Sequence, residues 1–439
     1  MATGIPTKAK QNDVDNPELM YSGKMCVQDV ICQPYKHSYE IASLGATSKN
    51  ILYYGDNLNV LLELYHDSNI CGHIRLAYID PPFSTGSEFQ CRDLSSAYQD
   101  TDRGSQYVEF LRRRMILIRE LLADDGSFYL HLDSNMVFHM KVILDEVFGR
   151  DNFRGMITRK KCSNKNYTKN TYGDIADYIL FYTKSSNYVW HRQYEPWTDE
   201  SALKEYPYID DVTGRRHKRV PLHAPGVRNG ETGMPWRGKL PPRGKHWQYT
   251  PETLEEMDRK GEIYWSKNGN PRRKVFLDQS NGIPVQNIWL NYRDSINQND
   301  HSTGYPTEKN LEMLKRIVSA SSNPGDYVLD CFCGSGTTLE AAASLDRSWI
   351  GVDVGTNAIK ASISRLTCGT ERYGDYVTQK KTGAQNILPI QSYGFSLKSN
   401  QECDELMNSL QEMPIIKRFP SEHAIVKESV EYRDTSMNV

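Results

Sequence analysis

At 439 residues the chain can bury a full α/β core and still hold a second module, since single cores seldom grow beyond about 250–300 residues. Its 53 Lys and Arg against 55 Asp and Glu give a formal net charge of -2, which excludes a globally polycationic protein, so any contact with nucleic acid has to come from a local basic surface. The nine cysteines form no C-x-x-C pair and show no zinc-ligand spacing, so no metal is expected and a reduced, cytoplasmic setting fits. No run of about 18 apolar residues and no apolar leader-like segment supports membrane insertion or export.

In chain order, residues 1–49 are polar without clear periodicity and read as an N-terminal arm. From residue 50 a regular rhythm begins. Ile51 to Tyr54 reads as a strand, Asn57 to Leu64 as a helix and Leu76 to Ile79 as a second strand. Val108, Leu111, Met115, Ile118 and Leu122 recur at helical spacing, and Asp124-Asp125-Gly126 ends that helix before a strand over Ser127 to Asp133. Val137, Met140, Leu144 and Val147 mark another helix closed by Gly149, and Tyr178 to Tyr182 another strand. This half spans 50–184. Over 185–300 the rhythm breaks into Pro, Gly, Trp and Tyr with charges, too long for a connecting loop, so an irregular inserted module is expected. A second half, 301–366, resumes the alternation and ends in a helix over Thr356 to Leu366. The extension 367–439 shows a strand-like Tyr373 to Val377 and a short amphipathic segment at Leu406 to Leu410. Alternating strands and helices predict an α/β fold, a parallel-rich sheet with helices on both faces.

Two stretches carry chemistry. Asp80-Pro81-Pro82-Phe83 directly follows the apolar run ending at Ile79. Two prolines fix φ and remove two amide donors, leaving backbone carbonyls and the Asp80 carboxylate as acceptors and Phe83 as a stacking face. That inventory suits a flat ring bearing an exocyclic amine. Far along the chain, Tyr327-Val328-Leu329-Asp330 runs into Cys331-Phe332-Cys333-Gly334-Ser335-Gly336-Thr337-Thr338 and a helix-prone stretch. A strand, a glycine turn and a helix start bring backbone close to a ligand. The third glycine of the dinucleotide fingerprint is missing, and Asp353 ends the next strand where an acid can hold ribose hydroxyls, so a nucleoside cofactor without pyrophosphate is expected.

Together these motifs resemble the amino-group DNA methyltransferases, in the circularly permuted order with the Asp-Pro-Pro-Phe motif before the glycine-rich one. Tyr305-Pro306-Thr307-Glu308-Lys309 is similar to that family's Pro-Thr-Gln-Lys element, and Gly55-Asp56, Asp125 to Asp133 and His246 to Pro251 match the type. The resemblance covers roughly 50 to 366. It implies a Rossmann-like methyltransferase sheet, S-adenosylmethionine as cofactor and duplex DNA as substrate, with a homodimer and a cognate restriction nuclease as open partners. Asp80, Pro81, Pro82 and Phe83 would act on the base. Asp330, Phe332, Gly334, Ser335, Gly336, Thr337, Thr338 and Asp353 would hold the cofactor, with Thr307 and Lys309 at its methionine end. Glu308 in place of Gln and Cys331 in place of Pro depart from the pattern, and both Cys331 and Cys333 read as packing residues. His131 reads as a packed strand histidine.

The amine lone pair of adenine or cytosine is delocalised into the ring, so it must be localised by acceptors at Asp80 and the Pro81 carbonyl while Phe83 fixes the ring plane. A paired base is unreachable, so the target flips out. The acid at position 80 favours N6 of adenine, whereas Ser is commoner in N4-cytosine enzymes, which stay the alternative. A non-catalytic DNA reader on the same fold is the rival from another class. Phosphate and groove contacts are expected from Arg159, Lys160, Lys161 and Lys165, and within the insert from Arg215, Arg216, Arg237 and Lys239, where basic and aromatic residues interleave.

Overall fold

The computed structural model describes residues 17–45, 49–82, 88–90, 96–99, 104–163, 170–294, 301–303, 305–306, 308–372, 394–412 and 424–426. Phe83, Lys165, Thr307 and the stretch Tyr373 to Val377 lie outside them. The chain forms two compact units, Met1–His191 with Gln286–Val439, and Arg192–Val285.

The first unit is built on β1 (Tyr39–Leu44), β2 (Asn50–Tyr54), α1 (Asn57–His66), β3 (Ile74–Ile79), α2 (Ser105–Leu121), β4 (Leu122–Leu132), α3 (Val137–Phe148), β5 (Phe153–Lys160), β6 (Ala176–Thr183), β7 (Ile288–Trp289), α4 (Leu311–Ser321), β8 (Tyr327–Asp330), α5 (Thr337–Ala343), β9 (Ser348–Asp353), α6 (Thr356–Cys368), β10 (Phe395–Ser399) and β11 (Ala424–Val426). The strands make one eleven-stranded sheet in the order β7-β5-β6-β4-β3-β8-β9-β2-β10-β1-β11. From β4 to β10 every pairing is parallel. Antiparallel strands flank this core, β6 between β4 and β5 on one side and β1 between β10 and β11 on the other. The parallel pairs need crossovers, which α2 supplies between β3 and β4 and α5 between β8 and β9.

Alternation along the strands covers both faces. Phe128 and Leu130 of β4 join Leu61, Leu117, Ile118 and Leu144 of α1, α2 and α3 in one buried cluster. Tyr129 points the other way, stacks on Phe181 at 4.3 Å and shares a 2.7 Å hydrogen bond with Ser321 at the end of α4. Each large apolar side chain so buried contributes roughly 1.5–3 kcal/mol. Helix starts are fixed locally: Asp56 accepts from the Asn59 N–H at 3.0 Å to cap α1, and Asn310 accepts from the Met313 N–H at 3.0 Å to cap α4. This is the α/β, Rossmann-like sheet that the alternation and the resemblance predict.

Two stretches differ from the sequence reading. Part of the expected N-terminal arm is built into the sheet, because Ile41, Ala42 and Leu44 of β1 are buried against strands from the far end of the chain. The segment expected to be irregular has a core of its own: in Arg192–Val285, Leu222, Trp236, Trp247, Leu254, Met257 and Ile263 pack together. Beside them, Tyr208–Ile209, Arg216–Pro221, Pro271–Phe276 and Ile263–Trp265 form an antiparallel sheet in that order. Residues 286–289 return to the first unit, where β7 pairs with β5.

Candidate active site

β3 and β8 are parallel neighbours with Leu329 opposite Ala77, so Asp80, the residue after β3, and Asp330, the last residue of β8, emerge at the same edge of the sheet. Motifs 250 residues apart by number are thus brought together by one strand pairing. Carboxyl edges of parallel strands are where ligands bind in open α/β sheets.

The glycine turn is tied down from three sides. Asp353 at the end of β9 accepts from the Gly334 N–H and the Gly355 N–H, each at 2.9 Å. Ser362 of α6 donates to the Gly334 carbonyl at 2.8 Å, and Arg365 donates to the Ser335 carbonyl at 2.7 Å. Asn57 donates to the Cys331 carbonyl at 2.7 Å and accepts from Arg114 at 2.5 Å. Gly336 adopts φ 75°, and a Cβ there would stand 2.8 Å from Ser362 Oγ and 3.2 Å from Ser362 Cα. Its missing side chain therefore serves the packing of the turn on α6, where the sequence suggested backbone approach to a ligand. Cys331 and Cys333 are buried, as their reading as packing residues requires. Thr337 and Thr338 are buried too, and Thr338 bonds the Asp330 carboxylate. Phe332 sets its ring 6.0 Å from that of Phe110. Burial pushes the Asp330 carboxyl up to about 7, opposed by the Thr338 hydroxyl and the Phe332 N–H and reinforced by the charges of Asp80 and Asp353.

Glu308, the departure from the family's Gln, has its own cation. Arg365 ion-pairs with Glu308 and with Glu340, and Thr303 donates to Glu308 from both N–H and hydroxyl at 3.0 Å. Arg365 and Glu308 are buried beside the turn, and Glu340 is partly buried.

Around Asp80 the Pro82 carbonyl accepts from the Tyr107 hydroxyl, which anchors the proline turn to α2. Lys309 pairs with Asp80 Oδ2 at 2.7 Å, so its ammonium meets the carboxylate after β3. Behind Asp80 a row of polar groups crosses neighbouring strands. His131 of β4 lies 3.8 Å from Asp80 Oδ1, its Nδ1 meets the Tyr78 hydroxyl at 2.7 Å, and its Nε2 lies 2.9 Å from Asp177 of β6. Asp177 meets Arg159 of β5 at 3.2 Å, and Arg159 pairs in turn with Asp294. This row escaped the sequence reading. The signal available was strand parity, since Asp177 and His131 stand beside apolar runs, but only the pairings of β4 with β6 and β6 with β5 join them.

The family model described as DNA methylase, for N6 and N4 amino-group enzymes, matches residues 74–364. The type II methyltransferase M.EcaI of Enterobacter cloacae is 50% identical over 316 residues, which cover 72% of this chain and 69% of that protein. This chain belongs to the DNA methylase family. It is a DNA methyltransferase. The StyLTI Mod subunit of a type III restriction-modification enzyme from Salmonella typhimurium is 28% identical over 342 residues, 68% of this chain and 50% of that one. The DNA adenine methyltransferase YhdJ of Escherichia coli K12 is 40% identical over 87 residues, 19% of this chain and 30% of that one.

The basic residues of the methyltransferase divide by surroundings. Arg159 is a correction: it is fully buried between Asp177 and Asp294 and donates to the Tyr292 carbonyl at 2.6 Å, so it cannot reach a phosphate. Alternation along β5 explains this, because Arg159 points inward where Lys160 does not. Lys161 is held 3.4 Å from Asp174. In the second unit Arg215 makes two 2.7 Å bonds to Asp278, and Arg237 binds Glu255 at 2.8 and 2.5 Å and Asp258 at 2.6 Å, so these two hold the unit's own segments together. Arg216 donates to the Tyr206 carbonyl at 3.2 Å, and Lys239 exchanges backbone bonds with Trp236 at 2.9 and 3.0 Å. On the same sheet Arg219 lies between the rings of Tyr208 and Tyr264, at 3.7 and 3.4 Å. Among the described residues no helix is long and apolar enough to cross a membrane.

Proposed function

We propose that this methyltransferase transfers a methyl group from S-adenosylmethionine to the exocyclic N6 amine of an adenine flipped out of duplex DNA. The observation that carries the reading is the placing of Asp80 and Asp330 at one edge by the pairing of β3 with β8. The residues present fit the cofactor: Asp330 is a buried carboxyl suited to an ammonium, and Asp353, although it accepts two backbone N–H bonds, keeps acceptor sites for ribose hydroxyls. When bound, the cofactor supplies an electrophilic methyl group. The chain's own part is to hold the amine. Asp80 accepts from one N–H of the amine and the proline-turn carbonyl from the other, which turns the nitrogen lone pair out of the ring plane. Tyr107 bonds the next carbonyl, that of Pro82, and so anchors the turn that carries the Pro81 carbonyl, and Lys309 keeps Asp80 in place.

Adenine is favoured over cytosine by the acid at position 80 and by the match to YhdJ, named a DNA adenine methyltransferase. The unit Arg192–Val285, with its stacked Arg219, is the reader of the DNA sequence. A cognate restriction nuclease is a further partner, in keeping with the restriction-modification relatives. The test is tritium transfer from methyl-labelled S-adenosylmethionine to duplex DNA followed by nucleoside analysis. N6-methyladenine is expected; N4-methylcytosine would overturn the base, and tight DNA binding with no incorporation would leave only a reader.

A bound ammonium favours ionised Asp330, so cofactor affinity should weaken by up to about tenfold per unit as pH falls below about 7, and Asp330→Asn should flatten that dependence in calorimetric titrations. Replacing Lys160 and Lys161 together with alanine should lower DNA affinity and reduce its logarithmic salt slope by about 0.9 for each phosphate left without its cation. A slope equal to wild type in fluorescence anisotropy would remove both from the interface.

A further inference from the structure

His131 is fully buried, yet its surroundings are those of a working imidazole. Although burial opposes it, His131 and Arg159 hold the Asp177 carboxyl well below the usual carboxylate range. An ionised Asp177 can only accept, so His131 Nε2, 2.9 Å away, carries a proton in either charge state of the ring, and the neutral form is the Nε2-protonated tautomer. That tautomer leaves a lone pair on Nδ1. It takes the Tyr78 hydroxyl at 2.7 Å and faces Asp80 Oδ1 at 3.8 Å, about one ångström beyond hydrogen-bond length, the kind of gap catalytic contacts often show before substrate is bound. Burial keeps the Tyr78 phenol protonated, so it stays a donor.

The reaction has a proton to dispose of. A neutral amine that gains a methyl group carries a positive charge and one hydrogen too many. The N–H electron pair returns to nitrogen, the proton passes to the Asp80 carboxylate, and from Asp80 it can pass to the Nδ1 lone pair of His131. The imidazolium so formed stands between the carboxylates of Asp177 and Asp80. Tyr78 faces it from β3, Asp80 from the turn after β3 and Asp177 from β6, with Arg159 on β5, Lys309 before α4 and Asp294 completing the charges around the row.

We propose that His131, held by Asp177, is a positioning residue for methyl transfer that orients the Asp80 carboxylate and takes up the proton the reaction releases. The proposal rests on the functional reading above and deepens it.

The test is the single-turnover rate of methyl transfer to duplex DNA as a function of pH, for wild type, His131→Gln, Asp177→Asn and Tyr78→Phe, with cofactor affinity and melting temperature measured alongside. His131→Gln and Asp177→Asn should each lower the rate by about 10²-fold or more, with cofactor affinity retained and the acid limb of the wild-type profile lost. Imidazole should restore part of the rate of His131→Ala. Tyr78→Phe removes a donor to the lone pair that the proton must occupy, so its acid limb should move to higher pH. This variant loses a single oxygen and keeps the proposal testable if the others fold poorly. Rates equal to wild type, a loss by the same factor at every pH without imidazole rescue, or an unmoved Tyr78→Phe profile would overturn the proposal. Failure of the wild type to methylate DNA would instead sink the functional reading, and this inference with it.

Discussion

Asp80→Ala is expected to lower single-turnover methyl transfer by at least about 10³-fold while the affinity for S-adenosylmethionine stays close to wild type. The carboxylate is the only acidic side chain that the Asp-Pro-Pro segment offers to an amine, and the contacts proposed for the cofactor lie on β8, β9 and the turn between β8 and α5. The substitution also strands Lys309, whose ammonium is buried and 2.7 Å from Asp80. Breaking one side of such a pair typically costs about 3–5 kcal/mol, so the melting temperature should fall too. The double variant Asp80→Asn with Lys309→Met separates the effects, because it removes both charges together and should recover stability without recovering transfer. Transfer by Asp80→Ala near the wild-type rate would refute the role given to this carboxylate.

Arg365→Met is expected to give the largest loss of stability of any single change near the turn. Arg365 is buried, pairs with Glu308 and Glu340, and donates to the Ser335 carbonyl. Without it the buried Glu308 and the partly buried Glu340 both lose this cation, which costs about 3–5 kcal/mol. The turn would lose one of its two side-chain ties to α6, so cofactor affinity should fall with stability. Acid should narrow the gap between variant and wild type, since protonated carboxylates need no cation. Melting curves across pH, with Glu308→Gln on the Arg365→Met background, check this. The added substitution removes one stranded charge and should return part of the stability, and a background indifferent to it would show that the pair does not govern the turn.

What could be read from the chain follows from how each feature is encoded. Periodicity within ten or so residues was enough for α2, where Leu111, Met115 and Ile118 are all buried, and for the strand that ends at Ile79, just before Asp80. The glycine turn was legible because it is contiguous. Arg159 was misread because Arg159-Lys160-Lys161 looks like a basic run, while in a strand successive side chains face opposite ways and one of the three belongs to the interior. The second unit hid its core because Trp236, Trp247 and Leu254 come from an isolated bridge, a short strand and a helix in turn, so no single period repeats. His131, Asp177 and Arg159 meet only through strand pairing, and no local pattern encodes which strands become neighbours.

The central claim is that the clamp after β3 and the cradle after β8 serve one methyl group. A crystal structure with a non-reactive analogue of S-adenosylmethionine tests it most directly. The account predicts the analogue's amino-acid end at Asp330, its ribose at Asp353, and its methyl-bearing position turned toward Asp80 with room for an amine about 3–3.5 Å away. An analogue bound with that position facing away from Asp80, or bound elsewhere on the sheet, would contradict it.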